Sequence, residues 1–348
     1  EYTLPMGILG RIFGGGNVRK RLQRMFKARE IRLSKDTKRY NNFAHIKRKK
    51  ILIAGSSGLI GRQLIAFFDT AGHDVWRLVR KEPGKNQIQW SPSDGKINAD
   101  ELEGFDAIIH LGGAGIGDKR WTKQRKIVLE KSRTDSTSLL ASTIAGLENK
   151  PEVFIVSSAM GIYGSRGDEE LTEDSAVGEG FLPDMCVAWE KSAQAAIDAG
   201  VRTIHCRTSL VLDATGGVLQ KMLLPAQLGA GGPIGWGKQW YSWIAMDDQV
   251  YAMDHLMMTP ECEGVYNFGS PNPVRQKTFA KILGKVLWRP SFIPVPPIGI
   301  WFLLGKMGVT LATDSGKILP NRLTESGYEF QYSTLEPALR DALGKWKN

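Results

Sequence analysis

Three glycines at a fixed spacing carry the first chemistry in this chain. Gly55, Gly58 and Gly61 stand in the run from Lys49 to Gly61, Lys-Lys-Ile-Leu-Ile-Ala-Gly-Ser-Ser-Gly-Leu-Ile-Gly. Without Cβ atoms such a turn tightens, brings main-chain N–H groups up to a pyrophosphate and lets a helix lie close on a strand. The helix N-terminus that follows favours the negative charge. Gly55, Ser57, Gly58, Leu59, Ile60 and Gly61 are therefore read as a dinucleotide-binding turn. The spacing alone is weak evidence in a chain with 39 glycines among 348 residues, so the weight rests on what surrounds it. The next strand should end in the residue that selects the cofactor, and here that is Arg80, followed by Lys81. An acid would bond the ribose 2′-OH of NAD, whereas an arginine accommodates a 2′-phosphate, so NADP is expected in preference to NAD.

The elements that must hold these residues are legible from apolar patterning. Ile51 to Ala54 is a short continuous apolar run, the pattern of a parallel strand buried on both faces. Leu59, Ile60, Leu64, Ile65, Phe67 and Phe68 follow at near-helical spacing, and Asp74 to Val79 makes a second strand at the distance a dinucleotide fold requires. Ala107 to Leu111 is a third strand, running into His110-Leu111-Gly112-Gly113, a second close approach of backbone to ligand that adds Leu111, Gly112 and Gly113 to the expected cofactor site. A helix from about Lys123 to Ala145 precedes the strand Val153 to Val156, which ends in Ser157-Ser158-Ala159-Met160-Gly161-Ile162-Tyr163-Gly164. The order predicts a doubly wound α/β fold with a parallel sheet, ligands lying beyond the carboxyl ends of its strands.

Composition bounds the rest. A chain of this length with 42% hydrophobic and 24% charged residues buries one large or two moderate cores. Cys186, Cys206 and Cys262 lie far apart with no CxxC pair, which argues against zinc or a disulfide framework and fits the cytoplasm or another reducing soluble compartment. The net charge of +10 suggests nucleic acid until it is divided: residues 1 to 50 hold 15 basic against 3 acidic residues, and the remainder 31 against 33. The body is nearly neutral, which disfavours a nucleic-acid partner. The longest apolar stretch, Val295 to Gly305, is too short to span a bilayer, so no integral membrane contact is expected. There is no signal-peptide pattern, and a chain opening on Glu1 is read as a fragment or a processed product.

Residues 1–47 are read as a basic amphipathic arm and linker: loop over 1–16, a helix from Asn17 with Val18, Leu22, Met25 and Phe26 on one face, and a polar linker from residue 34. The arm could dock on its own domain, an upstream domain, a protein partner or an anionic membrane. A Rossmann domain is expected over 48–270, with insertions at about 166–185 and 216–246. Those insertions and residues 271–348 would form a smaller, mostly helical substrate lobe, in which Gly229 to Gly237 with Trp236, Trp240 and Trp243 is a candidate aromatic wall.

The Gly55 turn, His110-Leu111-Gly112-Gly113 and the Ser-Ser to Tyr-Gly stretch resemble the extended short-chain dehydrogenase/reductases. Arg120-Trp121-Thr122, Ser132-Arg133-Thr134, Trp189-Glu190, Trp243-Ile244 with Asp247-Asp248, and Asn272-Pro273-Val274 resemble an atypical, sugar-nucleotide-epimerase-like subgroup over about residues 48 to 345. Tyr2 to Gly10 and Arg21 to Arg29 resemble the last stretch of a polyketide-cyclase-like, START-type helix-grip domain, which some members of the subgroup carry upstream. The resemblance implies an NADP-dependent reductase or epimerase acting on a small polar or sugar-nucleotide-like molecule. The competing class is a non-catalytic regulatory or assembly protein that kept the cofactor site.

That alternative arises because such reductases use a Tyr with a Lys four residues on, whose ammonium lowers the phenol pKa and holds the ribose. None of the eight tyrosines here has a Lys four positions on. Cys186 and Glu190 fall near the Tyr and Lys positions, and Lys191 lies one residue, about 100° of helix, further along. The resemblance implies Ser157 as the hydrogen-bonding partner of a substrate oxygen, Tyr163 and Glu190 as the remaining acid/base candidates, and Arg133, Lys191 and Arg207 as residues by the cofactor. Arg133 and Arg207 could equally be structural ion-pair partners, and Cys186 a buried inert thiol.

Overall fold

The computed structural model describes residues 7–43 and 47–346, in a leading unit up to Lys47 and a body from Arg48 onward. The leading unit is one helix, α1 (Gly7–Asn42), of 36 residues. It begins earlier than the expected start at Asn17 and runs through most of the expected linker. A polar, basic composition rules out a core but not a helix, since Lys and Arg are good helix formers. The parts of these expectations that fall on residues 1–6 and 44–46 lie outside the described residues.

The body is built on a sheet of β1 (Lys50–Ala54), β2 (Asp74–Val79), β3 (Gln87–Ser91), β4 (Lys96–Ile97), β5 (Ala107–His110), β6 (Val153–Ala159), β8 (Arg202–Thr208) and β12 (Gly264–Phe268). Short pairs add β7 (Glu170–Leu171) with β14 (Lys317–Ile318), β9 (Leu210–Leu212) with β11 (Trp243–Ala245), and β10 (Trp240–Tyr241) with β13 (Val274–Arg275). The spatial order is β12-β8-β6-β5-β1-β2-β3-β4, parallel except for the antiparallel edge strand β4. Strand order therefore reverses between β1 and β5, which pair from Ile51 opposite Ala107 to Ala54 opposite His110. Such a switch point opens a crevice at the carboxyl edge of the sheet.

Ile51, Leu52, Ile53 and Ala54 are wholly buried, as a strand covered on both faces must be. On one face Leu52 and Ala54 join Ile108, Phe154, Val156 and Trp189 in a core shared with α3 (Lys123–Gly146), α4 (Phe181–Lys191) and α5 (Gln194–Asp198). Elsewhere α2 (Leu59–Thr70) packs on α7 (Met246–Met258), where the Phe67 and Tyr251 rings meet tilted at 51° with centres 5.3 Å apart; all 13 residues of α7 are buried. Arg202 satisfies two of the last carbonyls of α7, its guanidinium donating to Leu256 and Met257 at 2.9 Å, and also donates to the Cys262 carbonyl beyond the helix at 2.7 Å. A second core holds α6 (Gly217–Gln227) and α8 (Gln276–Leu287) with α11 (Leu335–Ala342), through Leu219, Phe279, Leu283 and Leu339. Between α8 and α11 run α9 (Pro297–Thr313) and α10 (Asn321–Glu325). Among the described residues no helix is long and apolar enough to cross a membrane.

Candidate functional site

The crevice at the switch point is a cleft of about 330 Å³. Its near wall is Gly55, Gly58, Leu59, Ile60 and Gly61, its floor Leu111 and Ser157, and its far wall Ser209 to Val211 with Gly217 and Val218. Gly55 adopts φ +81°, and a Cβ there would lie 2.7 Å from the Leu111 carbonyl carbon and 2.9 Å from the Gly112 nitrogen. The two glycine-bearing turns therefore touch backbone to backbone, and no other residue type fits. A Cβ on Gly61 would collide with the Gly55 carbonyl oxygen, so the close lie of α2 against the turn also needs glycine. The Gly58 N–H donates to the Gly55 carbonyl at 3.0 Å, which closes the turn and makes Gly58 the residue from which α2 starts. Ser57 sits exposed in the same turn.

Arg80 follows β2 and is exposed. Since Ala54 pairs with Leu78, Arg80 stands at the level of the residue after Gly55, beside the turn. Gly112 and Gly113 lead away from β5, backed by the His110 ring and the Arg133 side chain. Burial pushes the His110 imidazole down to about 3, so the ring is neutral; it shares a 2.9 Å hydrogen bond with the Ser136 hydroxyl. Arg133 is buried under Gly113, donating to the Leu129 carbonyl at 2.8 Å with its guanidinium 5.0 Å from the Trp189 ring centre. It supports the loop from behind. In the far wall, the buried Ser209 hydroxyl has no hydrogen-bond partner among the described residues. A two-sided backbone cradle and a helix N-terminus fit a dinucleotide.

The expected acid/base residues are arranged differently. Successive strand residues face opposite sides, so Ser157 lines the cleft while Ser158 turns to α4. Ser158 donates to Glu190 Oε1 at 2.6 Å. Arg207 grips both oxygens of the same carboxylate, Nε to Oε1 and Nη2 to Oε2, each at 2.9 Å. Its remaining nitrogen donates to the Tyr163 hydroxyl at 3.0 Å and to the Glu173 carbonyl at 3.2 Å. Tyr163 is wholly buried and donates in turn to Asn267 Oδ1 at 2.7 Å, and the Asn267 N–H donates to Glu173 Oε1 at 2.9 Å. The result is one network tying β6, α4, β8 and β12 together.

Its electrostatics follow from this pairing. Burial acts to raise the Glu190 carboxyl, but the Arg207 guanidinium outweighs it and holds the group below its ordinary value. Burial also acts to lower the Arg207 guanidinium, and Glu190 more than reverses it. Tyr163 is raised by burial, which the Arg207 charge only partly offsets. The Cys186 thiol is pushed up to about 12, by burial first and then by the Glu190 charge, so it stays protonated and inert. Around it lies apolar surface, including Leu129, Ile162 and Leu171. Lys191, on the last turn of α4, is exposed. Of the three residues expected to do chemistry, only Ser157 lines the cleft; Tyr163 and Glu190 are enclosed with Arg207, and neither Lys191 nor Arg207 lines it.

The sequence reading missed Ser209 to Val211, Gly217 and Val218 as the far wall, and Ser158, Glu173 and Asn267 as members of the network. For the wall only the Gly216-Gly217 pair gave a signal: a Cβ on Gly216 would press on Leu59 at 2.9 Å.

Comparison with known proteins agrees with this geometry. Residues 51–269 match the model of the NAD dependent epimerase/dehydratase family, and residues 295–342 match a domain of unknown function, DUF1731. The epimerase family protein YfhF of Bacillus subtilis is 35% identical over 303 residues, covering 85% of this chain and 99% of that one. The crystal structure of the human epimerase family protein SDR39U1, isoform 2, with NADPH superposes with a TM-score of 0.77 at 29% identity, over 84% of this chain and 98% of the human one. A nucleoside-diphosphate sugar epimerase from Corynebacterium glutamicum gives a TM-score of 0.77 at 32% identity, over 92% of this chain and 64% of that one.

Proposed function

The chain belongs to the NAD dependent epimerase/dehydratase family, and from that premise we propose that it binds NADP along the Gly55 turn as an atypical reductase or epimerase. Its substrate class is a small polar or sugar-nucleotide-like molecule. The observation that carries the proposal is the backbone contact of Gly55 with Leu111 and Gly112 at the switch point, which leaves room for a pyrophosphate where side chains would otherwise stand. A bound nicotinamide would supply or accept the hydride. The N-terminus of α2 holds the diphosphate, and Arg80 pairs with the 2′-phosphate. Ser157 hydrogen-bonds the substrate oxygen and holds the water through which a proton passes.

A second reading, a cofactor-bound protein without turnover, is favoured by one observation: Glu190 is clamped by Arg207 and Ser158 while Tyr163 is wholly buried. A positioned acid or base is typically worth about 10² to 10⁴ in rate, so its loss leaves slow chemistry or none. Incubating the protein with NADPH and a panel of sugar nucleotides and small carbonyl compounds, following nicotinamide absorbance, separates the two. The first reading expects slow turnover that falls in Ser157→Ala and persists in Glu190→Gln. NADPH retained through native mass spectrometry with no turnover on any compound establishes the second.

For α1 we propose the closing helix of an upstream helix-grip domain of the START type. Support comes from the resemblance of Arg21 to Arg29 to that domain's last stretch and from the Corynebacterium match, which extends over 92% of this chain and only 64% of that protein, leaving length there for a further domain. Limited proteolysis of the natural protein, releasing no folded fragment that ends near Asn42, would remove this reading.

A further inference from the structure

Charge in the body is segregated along the chain. Residues 214–246 and 264–313 hold 8 Lys or Arg and no Asp or Glu. At the chain's average of 36 acids in 348 residues, these 83 positions would carry about nine acids. The rest of residues 51–348 holds 23 basic against 33 acidic residues, so the near-neutral total conceals a lobe whose stretches 214–246 and 264–313 are basic, while α11, packed on α8, adds Glu336 and Asp341.

The same lobe carries exposed apolar side chains. Trp236 is 87% exposed, Trp288 83%, Leu228 76%, Phe292 76% and Leu224 64%. These belong to one knitted surface. The Val295 N–H donates to the Pro233 carbonyl at 2.7 Å and the Gly235 N–H to the Val295 carbonyl at 3.0 Å. Arg289 Nε donates to the Gln227 carbonyl at 2.8 Å, and Gly229 lies against Pro290. The helix α8 runs through the middle. Lys277, Lys281 and Lys285 lie four residues apart on its exposed stripe, with Gly237, next to Trp236, against Lys277 and with Trp288 at the far end. Lys285 pairs with Glu336 at 2.7 Å, whereas Lys277 and Lys281 are exposed.

We propose that this face, formed by the end of α6, the loops 228–237 and 288–296 and the lysine stripe of α8, docks on an anionic lipid surface. Tryptophan and phenylalanine at loop tips, leucines beside them and lysines alongside are the composition that sits at the headgroup boundary of a membrane. The lysines draw the face to negative headgroups, and the apolar tips enter the acyl boundary. Leu224 and Leu228 add nothing to a nucleic-acid site, where phosphate contacts and base stacking carry the affinity. The body thereby lies on the membrane without crossing it.

The test uses the full chain with vesicles of phosphatidylcholine alone and of phosphatidylcholine with phosphatidylglycerol, read by co-sedimentation. Because α1 is also basic, the decisive variants lie in the lobe. The triple substitution Trp236→Ser, Trp288→Ser, Phe292→Ser should weaken binding to the anionic vesicles by about 100-fold or more, since each loses a large buried apolar surface. The pair Lys277→Glu, Lys281→Glu should weaken it about tenfold or more and flatten its salt dependence. NADPH affinity, unchanged in both, shows that the variants are folded. Wild-type protein that ignores anionic vesicles overturns the proposal. So does undiminished binding in the triple variant, which assigns the affinity to α1, or binding to single-stranded nucleic acid that outcompetes the vesicles.

Discussion

The cofactor cleft and the Glu190–Arg207 network lie at the same end of the sheet and are built on opposite logics. In the cleft the working groups are main-chain atoms, and glycine is required because any side chain would fill the space that Gly55 and Gly61 leave. In the network the working groups are side chains from β6, α4, β8 and β12, each satisfied by the next. A backbone-built site tolerates drift in the residues around it as long as the glycines stay. A side-chain-built site changes role when one member changes. Here a carboxylate faces an arginine near the position where the resemblance calls for a catalytic ammonium, and the region becomes a strut.

The sharpest way to break this contrast is Arg207→Met. The Glu190 carboxylate would be left without its charge partner, with 13% of its side chain exposed, and loss of one partner of such a pair costs about 3–5 kcal/mol. Denaturant unfolding should show that loss, while the double variant Arg207→Met, Glu190→Leu recovers most of it. Cofactor affinity of the folded fraction should be unchanged. Lost NADPH affinity at full stability would instead make Arg207 part of the cleft. The same unfolding series repeated across pH tests the electrostatics. Glu190 is depressed in the folded state, so its contribution is fully present above the ordinary carboxyl value of 4.5 and is lost as pH falls through the lower folded value. Glu190→Gln should remove that part of the acid slope.

A smaller effect sharpens the other side. Arg80→Ala should weaken NADPH by about 10- to 150-fold, equivalent to about 1.5–3 kcal/mol for a lost charge-assisted contact, and leave NADH nearly untouched. Isothermal calorimetry with both cofactors reads the difference. Equal losses would mean that the exposed arginine reaches no phosphate.

Much of the cleft was legible in the sequence because it is local. The apolar run Ile51 to Ala54, the glycines that follow and the helical spacing from Leu59 lie within 20 residues, and the chain's own stereochemistry turns that order into strand, turn and helix. The shortage of the catalytic pair was legible too, since a missing Tyr-x-x-x-Lys is a matter of counting. The fate of what replaced it was not. Ser157 and Ser158 are adjacent and chemically identical, and only the side of the sheet each faces sends one to the cleft and the other to Glu190. Glu190 and Lys191 likewise differ only by helix phase, which puts one in a buried ion pair and the other in solvent. The sequence by itself determined the dinucleotide turn, because backbone conformation is dictated by neighbours in the chain. Tertiary structure alone decided which polar side chains became partners and which stayed available, because pairing energy depends on distance and burial across elements that the chain order leaves far apart.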